Sequence, residues 1–192
     1  RRLSDWWART VAAGHEQGDL LFGIPVPTVT HLTLAGDRPE LTYRVDRIDA
    51  IVVTQTCDLE NVKVRTVLLA RVVTWRDFAA AQFAAGNTTV KSSAYVHNLI
   101  RGDIPPLALL HERAARPALP WSICDFRELY TVDRDHLDDF TSQPGSRQRL
   151  RLLSPYKEHF AQAFARFFMR VGLPHDAGAF AVAGTAEVAD LD

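Results

Sequence analysis

Four consecutive apolar residues, Ala50, Ile51, Val52 and Val53, form the segment that most restricts how this chain can fold. A continuous run rich in β-branched residues is typical of a strand in the middle of a sheet, buried on both faces. Such a strand needs other elements packed above and below it. The run therefore predicts a sheet with helices packed against it.

The segments around this run carry further strand patterns. Leu41, Tyr43 and Val45 alternate with polar residues, which indicates a strand with one solvent-exposed face. Turn-forming residues separate this strand from an earlier one, so the two predict a hairpin. Pro25 and Pro27 interrupt the earlier segment and divide it in two. Strands are predicted at 19–24, 28–34, 41–45, 50–53, 64–73, 88–96 and 121–126.

Helices are predicted where a cap residue precedes a run at helical spacing. Thr74 is suited to cap a helix over residues 75–85, and Ser154 with Pro155 opens the clearest helix, over 155–171. Further helices are predicted at 5–13 and 133–140, with a short one near 107–115. One face of the last helix carries Phe160, Phe164, Phe167, Phe168 and Val171, so this helix is amphipathic.

Together these elements predict one α+β domain over residues 1–192. We expect a small antiparallel, partly closed β-barrel, packed against helices and closed by the amphipathic C-terminal helix. Its strand-rich core spans 18–100 and 121–132, and residues 175–192 form a loose tail. A chain of 192 residues is close to the size of a single domain with one hydrophobic core.

Charge and cysteine content limit the partners and the compartment. The formal net charge of −1 provides no global positive field, so any contact with nucleic acid needs a local basic patch. Cys57 and Cys124 are too few for a disulfide framework, which indicates free thiols in a reducing compartment. No apolar run approaches the length of a membrane span, so we expect a cytoplasmic protein with no membrane partner.

Residues 54–58, Thr-Gln-Thr-Cys-Asp, change abruptly from apolar to polar directly after the buried run. Polar side chains at the end of a buried strand are rigidly held yet can face solvent, so this is the first candidate site. Cys57 would act as a nucleophile if His97 lay within hydrogen-bond reach, with Asp58 orienting the histidine and Thr54 beside them. The competing interpretation is a cysteine that serves as a small hydrophobic residue.

Two further surfaces are candidates for binding. His159, Arg166 and Arg170 lie about one turn apart on one face of the predicted last helix, where they can contact phosphates along a groove. The alternative for this stripe is the solvated back of an amphipathic helix. Trp6 and Trp7 indicate either an anchor in the core or a surface for a protein partner.

Several common chemistries lack their sequence motifs. The chain contains no G-x-x-x-x-G-K, G-x-G-x-x-G, G-x-S-x-G or H-E-x-x-H, which argues against ordinary nucleotide hydrolysis, dinucleotide redox chemistry and serine-esterase action. The cysteines and histidines show no C-x-x-C or H-x-x-x-H pair. We therefore expect no metal and no cofactor.

Three segments between residues 18 and 75 resemble the strands of the MazF/PemK toxin family, which has a small SH3-like barrel. They are Gly18-Asp19-Leu20-Leu21, then Arg47 before Ala50-Ile51-Val52-Val53-Thr54, then Val67-Leu68-Leu69-Ala70-Arg71-Val72-Val73-Thr74. The family has an early Gly-Asp strand, an Arg-Pro before its second strand and a third strand ending in polar threonines. Here no proline follows Arg47, and an inserted hairpin precedes it.

The resemblance implies a curled antiparallel barrel and metal-free cleavage of single-stranded RNA. The family's arginine, which stabilises charge on the transferring phosphate, maps onto Arg47, and its threonine or serine near the scissile phosphate maps onto Thr74. With Thr54, Cys57 and Asp58 these residues form the candidate catalytic set. Arg71, in the third segment, joins His159, Arg166 and Arg170 as a candidate contact to nucleic acid.

Three classes of function follow from these patterns. The first is a bacterial toxin-like or antiphage-defence protein that acts on or near RNA, with endoribonuclease activity as one form of that action. The second is a cysteine-dependent hydrolase or transferase that uses Cys57 and His97. The third is a non-catalytic module that binds another protein through Trp6, Trp7 or the C-terminal helix.

Overall fold

The computed structural model describes residues 5–33, 39–144 and 148–169. Within them, seven strands form one antiparallel sheet, accompanied by five α-helices and a short 3-10 helix at Thr88–Lys91. The strands are β1 (Trp7–Thr10), β2 (Asp19–Thr33), β3 (Glu40–Val52), β4 (Thr66–Thr74), β5 (Leu107–Leu110), β6 (Ser122–Asp133) and β7 (Arg149–Leu152). The helices are α1 (Thr56–Glu60), α2 (Trp75–Ala84), α3 (Ser93–Arg101), α4 (Arg134–Ser142) and α5 (Tyr156–Phe168).

The sheet has the strand order β1-β7-β2-β3-β4-β6-β5. β1 and β5 are its edges, and they do not pair with each other, so the sheet formed by the described strands is open. The predicted α+β class, antiparallel sheet and hairpin are confirmed, whereas partial closure into a barrel is not. The apolar run at residues 50–53 ends the middle strand β3 and is buried, as predicted.

Buried clusters lie on both faces of the sheet, because neighbouring residues of a strand point in opposite directions. On one face, Ile51 packs with Phe126 of β6, and Phe160 of α5 covers them. On the other face, Val52 packs with Leu137 of α4. A third cluster lies beneath α2 and α3. Helices thus cover the sheet on both sides.

The segment at residues 5–13 was expected to be a helix and is instead the edge strand β1. Trp7 is buried, and its backbone pairs with Leu152 of β7. Its indole Nε1 donates a hydrogen bond of 2.8 Å to the carbonyl of His111. These long-range contacts override the local capping pattern around Ser4, which itself lies outside the described residues.

Two later elements also differ from the sequence prediction. The segment 88–96 is not a strand but the 3-10 helix followed by α3. The Ser92 hydroxyl caps α3 by accepting from Tyr95 N, and Gly102 ends it in a left-handed conformation. Leu107–Leu110 forms strand β5, because both alternating faces of this apolar segment pack between helices beside β6. The short helix predicted there is therefore wrong.

Strand β2 runs without interruption through Pro25 and Pro27. Proline has no backbone N–H to donate, so it is tolerated in a strand only where that position faces away from a neighbour. β2 pairs with β7 only at Asp19 and Leu20, and beyond them its outer side has no adjacent strand among the described residues. The prolines thus occupy an edge, and the predicted break in this strand is wrong.

A buried ionic cluster fixes the start of β2. Asp19 is fully buried and accepts hydrogen bonds from Arg149 Nε at 2.8 Å and Arg151 Nε at 2.6 Å. The Arg149 guanidinium, also buried, donates to the backbone carbonyls of Ala12 and Gly14. The carboxylate therefore ties β2 to β7 and to the loop before it.

The predicted helices at 75–85, 133–140 and 155–171 correspond to α2, α4 and α5. In α5 the aromatic face is confirmed for Phe160, Phe164 and Phe167, whose rings pack on Phe126, whereas Phe168 is exposed. The N-cap of α5 is Pro155 rather than the predicted Ser154, and α5 begins one residue later, at Tyr156. Arg170, Val171 and the predicted tail lie outside the described residues. Across the described chain, every helix is too short or too polar to span a bilayer.

Candidate functional site

The polar residues at the end of β3 hold neighbouring backbone in place. Thr54 Oγ1 accepts a hydrogen bond of 2.7 Å from Leu68 N, and Thr56 Oγ1 accepts one of 3.1 Å from Gln17 N. Gln17 in turn donates from Nε2 to the carbonyl of Val53. These bonds satisfy backbone groups beside β3, so both threonines have structural partners.

Cys57 lies in the first turn of α1 with its side chain exposed to solvent. Its Sγ is 3.6 Å from Gln55 Oε1 and 3.8 Å from Asp58 Oδ1. His97 is exposed on α3, which packs against β5 at the edge of the sheet. The hydrogen bonds described for Cys57 join it to the Gln55 amide oxygen and the Asp58 carboxylate and do not include His97.

The residues that the toxin resemblance selects are engaged in local bonds. Thr74 Oγ1 is the N-cap of α2, accepting from Asp77 N at 3.1 Å and lying 2.7 Å from Asp77 Oδ2. Arg47 is exposed on β3 and donates to the carbonyl of Gly23 at 3.3 Å. Arg71 forms a 2.9 Å ion pair with Glu128. The capping role assigned to Thr74 is confirmed.

A groove of about 650 Å³ follows the outer edge of the sheet. All four residues of β5, Leu107 to Leu110, line it. Consecutive strand residues point to opposite faces, so a hollow lined by all four must run along the strand edge itself. Helix α3 forms one wall of this edge groove and α5 forms the other.

Backbone groups of β5 face into the edge groove. β5 pairs with β6 on one side only and ends the sheet on the other. The amide of Phe126 donates to the carbonyl of Pro106, so these two residues form a hydrogen-bonded pair. Along an antiparallel ladder such pairs alternate with pairs whose N–H and C=O groups point away from the partner strand. By that alternation the N–H and C=O of Leu109 point away from β6. They therefore face the groove.

Aromatic rings form a continuous line along one side of the groove. Trp6 stacks on Tyr156, with ring centroids 4.1 Å apart and planes 13° from parallel. Trp6 also lies 5.3 Å from the ring of His111, which lies 4.3 Å from the ring of Trp121. The line presents flat, largely apolar surface to whatever occupies the groove.

Cationic side chains stand at the rim of this apolar groove. Arg101 of α3 is paired with Asp103 at 2.8 Å, while Arg166 of α5 is exposed and has no ion pair within the described chain. His159, also exposed, lies between the aromatic line and Arg166 on α5. The rim therefore favours a ligand with a negative group beside an apolar one.

Sequence reasoning identified part of this groove. Trp6, His159 and Arg166 were selected as binding residues and all line it, whereas Trp7 lies in the core. Sequence reasoning did not predict β5, because a four-residue apolar segment between prolines resembled a short helix. A usable signal was the number of tryptophans: of the four in the chain, Trp6, Trp75 and Trp121 line the groove.

Comparison of the chain with family models, with curated proteins and with solved structures gives no match in any of the three. The argument for function therefore depends on the site alone. Within residues 5–33, 39–144 and 148–169, no group of three or more His, Cys, Asp or Glu side chains is arranged to hold a metal ion.

Proposed function

We propose that this chain is a protein-interaction module that binds an extended segment of a partner along the outer edge of β5. The observation that carries the proposal is the groove whose floor is all four residues of an edge strand. A strand edge with backbone groups directed outward is suited to strand addition, in which main-chain hydrogen bonds give affinity and flanking pockets give specificity.

The lining of the groove indicates the chemistry of the bound segment. Leucines of β5 and α3 and the aromatic line beside Trp6 favour alternating apolar side chains. Arg101 and Arg166 at the rim favour an acidic residue at one end of the segment. We therefore expect an extended apolar peptide with an acidic flank.

The decisive variant pair is Leu109→Pro and Leu109→Ala. Both variants remove the leucine side chain, and proline additionally removes the N–H that faces the groove. Because this N–H points away from β6, both variants keep the hydrogen bonds of the β6 ladder. The probe is a fluorescein-labelled peptide of alternating valine and threonine with two aspartates at one end. We expect anisotropy to show weaker binding by the proline variant than by the alanine variant. Equal binding by both variants, or no binding by the wild type, would contradict the proposal.

Single-stranded RNA is a second candidate ligand, supported by the stack of Trp6 on Tyr156 next to Arg166 and His159. Aromatic faces accept bases in any sequence, and cationic groups nearby accept phosphates. This candidate continues the toxin-like, barrel-related hypothesis drawn from the sequence, in which Arg47 and Thr74 would take part in cleavage.

A labelled pool of single-stranded RNA tests this candidate. Binding that Arg166→Ala weakens and Arg65→Ala does not would support RNA as the ligand, since Arg65 lies on the surface outside the groove lining. Shortened RNA with the wild type but not with Arg47→Ala would support an endoribonuclease. RNA that is neither bound nor cleaved would contradict both RNA binding and endoribonuclease activity, and would not affect the peptide proposal.

A further inference from the structure

The outer part of the β2–β3 hairpin extends beyond the rest of the sheet. β2 pairs with β7 no further than Leu20, and β3 pairs with β4 only from Asp49 onward. Residues 25–33 and 40–47 therefore pair with each other and have no strand beside them among the described residues. We call this two-stranded part the hairpin arm.

From Pro27 on β2 and Val45 on β3 outward, the hairpin arm is amphipathic, with one apolar and one polar face. Cross-strand partners lie on the same face, and the pairs Pro27 with Val45, Val29 with Tyr43 and Leu32 with Leu41 are all apolar. The intervening pairs are polar: Thr28 with Arg44, His31 with Thr42 and Thr33 with Glu40. A register shift between Val29 and His31 returns Leu32 to the apolar face.

The apolar face of the arm is left in water. Val29, Leu32, Leu41, Tyr43 and Val45 are each between 50% and 61% exposed. Side chains of this size that are half exposed leave roughly 400–500 Å² of apolar surface together, a size at which exposed patches are often functional. A two-stranded hairpin without a covered face is also only marginally stable. A partner surface over this face would therefore stabilise the arm.

We infer that the partner is a second copy of this chain, whose arm packs face to face on the first. Two copies of the patch would cover roughly 800–1,000 Å², an area that corresponds to a weak, reversible interface, below about 1,200 Å². A two-fold arrangement brings identical patches together, and the five residues of this patch are uncharged. The charge nearest to them on the same face is Arg47, at the base of the arm, where it donates to the carbonyl of Gly23.

The edges and the polar face of the arm argue against other geometries. Pro25 and Pro27 remove donors from the outer edge of β2, which disfavours addition of a further strand there. On the polar face, Arg44 pairs with Asp46 at 2.8 Å, so those charges are already neutralised within the arm. Face-to-face packing through the apolar side is the arrangement that buries the exposed side chains, and it leaves the β5 edge groove untouched.

Sedimentation equilibrium of the full chain, from low to high micromolar concentration, tests the inference. We expect a reversible dimer that Tyr43→Glu weakens about tenfold or more, because the charge is placed on the apolar face. Thr42→Glu adds the same charge on the opposite face of the same strand and should leave the dimer intact. A wild type that is monomeric throughout, or equal dissociation by both variants, would overturn the inference.

Hydrogen exchange of the wild type tests the same inference without a variant, so the result does not depend on whether a variant folds. In the wild type, amide protection at residues 27–32 and 41–45 should rise with protein concentration, while the rest of the sheet stays constant. Protection in the hairpin arm that does not depend on concentration would also overturn the inference. Because this readout needs no groove ligand, its failure is distinguishable from failure of the peptide proposal.

Discussion

The indole ring of Trp6 lies flat against the phenol ring of Tyr156, with a centroid separation of 4.1 Å. This contact joins the segment before β1 to the first residue of α5 and forms part of the groove wall. Because this stack lines the groove and Trp6 is only half buried, loss of the Trp6 ring should separate binding from folding.

Trp6→Ala should weaken binding of the groove ligand by about 5- to 150-fold if the ligand is RNA, the range that corresponds to the loss of one aromatic platform. The side chain is only half buried, so the fold should persist, as circular dichroism would show. Phe83→Ala removes an exposed aromatic ring of α2 that does not line the groove and serves as the control. An equal effect of both changes would argue against the groove.

Asp19→Asn should destabilise the protein by about 3–5 kcal/mol, because it leaves the buried Arg149 guanidinium without its counter-charge. Asp46→Asn removes the partner of Arg44 on the exposed hairpin arm and should cost less than about 1 kcal/mol. Urea unfolding of both variants measures the difference. Similar midpoints would mean that the buried cluster does not hold the start of β2.

Gly18→Ala should lower the free energy of unfolding by at least about 1–2 kcal/mol, the cost of a left-handed conformation for a residue with a Cβ. Gly18 has a φ of +87°, and an added Cβ would lie 3.1 Å from Leu152 Cβ. Gly14→Ala is the matched control, since an added Cβ there meets no atom within 4 Å. Thermal melting should place only the Gly18 variant below the wild type.

His15 should make stability depend on mildly acidic pH. Burial, joined by the positive charge of Arg149, lowers the pKa of His15 against the opposing effect of Asp138. The folded state thus binds fewer protons than the unfolded state. The contribution of His15 to the free energy of unfolding is fully present above the ordinary histidine pKa of about 6.5. It falls as the pH drops below that value, by up to about 1.4 kcal/mol per pH unit.

The geometry around His15 explains the direction of this effect. Its Nε2 lies 3.0 Å from Asp138 Oδ1, whereas Nδ1 is buried without a hydrogen-bond partner in the described structure. A second proton would have to sit on that unpaired nitrogen. Urea unfolding between pH 5 and pH 8 should show the slope in the wild type, and His15→Gln should flatten it. A slope that survives in the variant would assign it to other groups.

One of the two thiols should react in the native protein. Cys57 is exposed, while burial, with the nearby Asp125 charge, raises the pKa of the fully buried Cys124 thiol. A thiol-reactive dye should therefore label Cys57 and reach Cys124 only after unfolding. His97→Ala should not change the rate at Cys57. A slower reaction in that variant would revive the cysteine-dependent hydrolase hypothesis.

The elements that were predicted correctly are specified by residues close together in the sequence. The run at residues 50–53 is buried because four consecutive apolar residues have no other favourable place, and α5 forms because its phenylalanines recur at helical spacing. Thr74 caps α2 through a bond to Asp77 three residues away. Each of these needs only a few neighbouring residues to specify it.

The elements that it missed depend on distant partners. β1 is a strand because Trp7 pairs with Leu152, and β5 is a strand because β6 lies beside it. The alternation of Leu41, Tyr43 and Val45 was recognised, but within one chain the apolar face stays exposed. The groove escaped prediction for the same reason, since its lining comes from at least six separate segments of the chain.

The pairing of Trp7 with Leu152 also affects synthesis on the ribosome. Strand β1 cannot dock until β7 has been translated, because β7 lies between β1 and the rest of the sheet. During that interval the nascent chain exposes Trp7 and the flank of β2. Slow folding follows from this topology, since its closing contact spans nearly the whole described sequence.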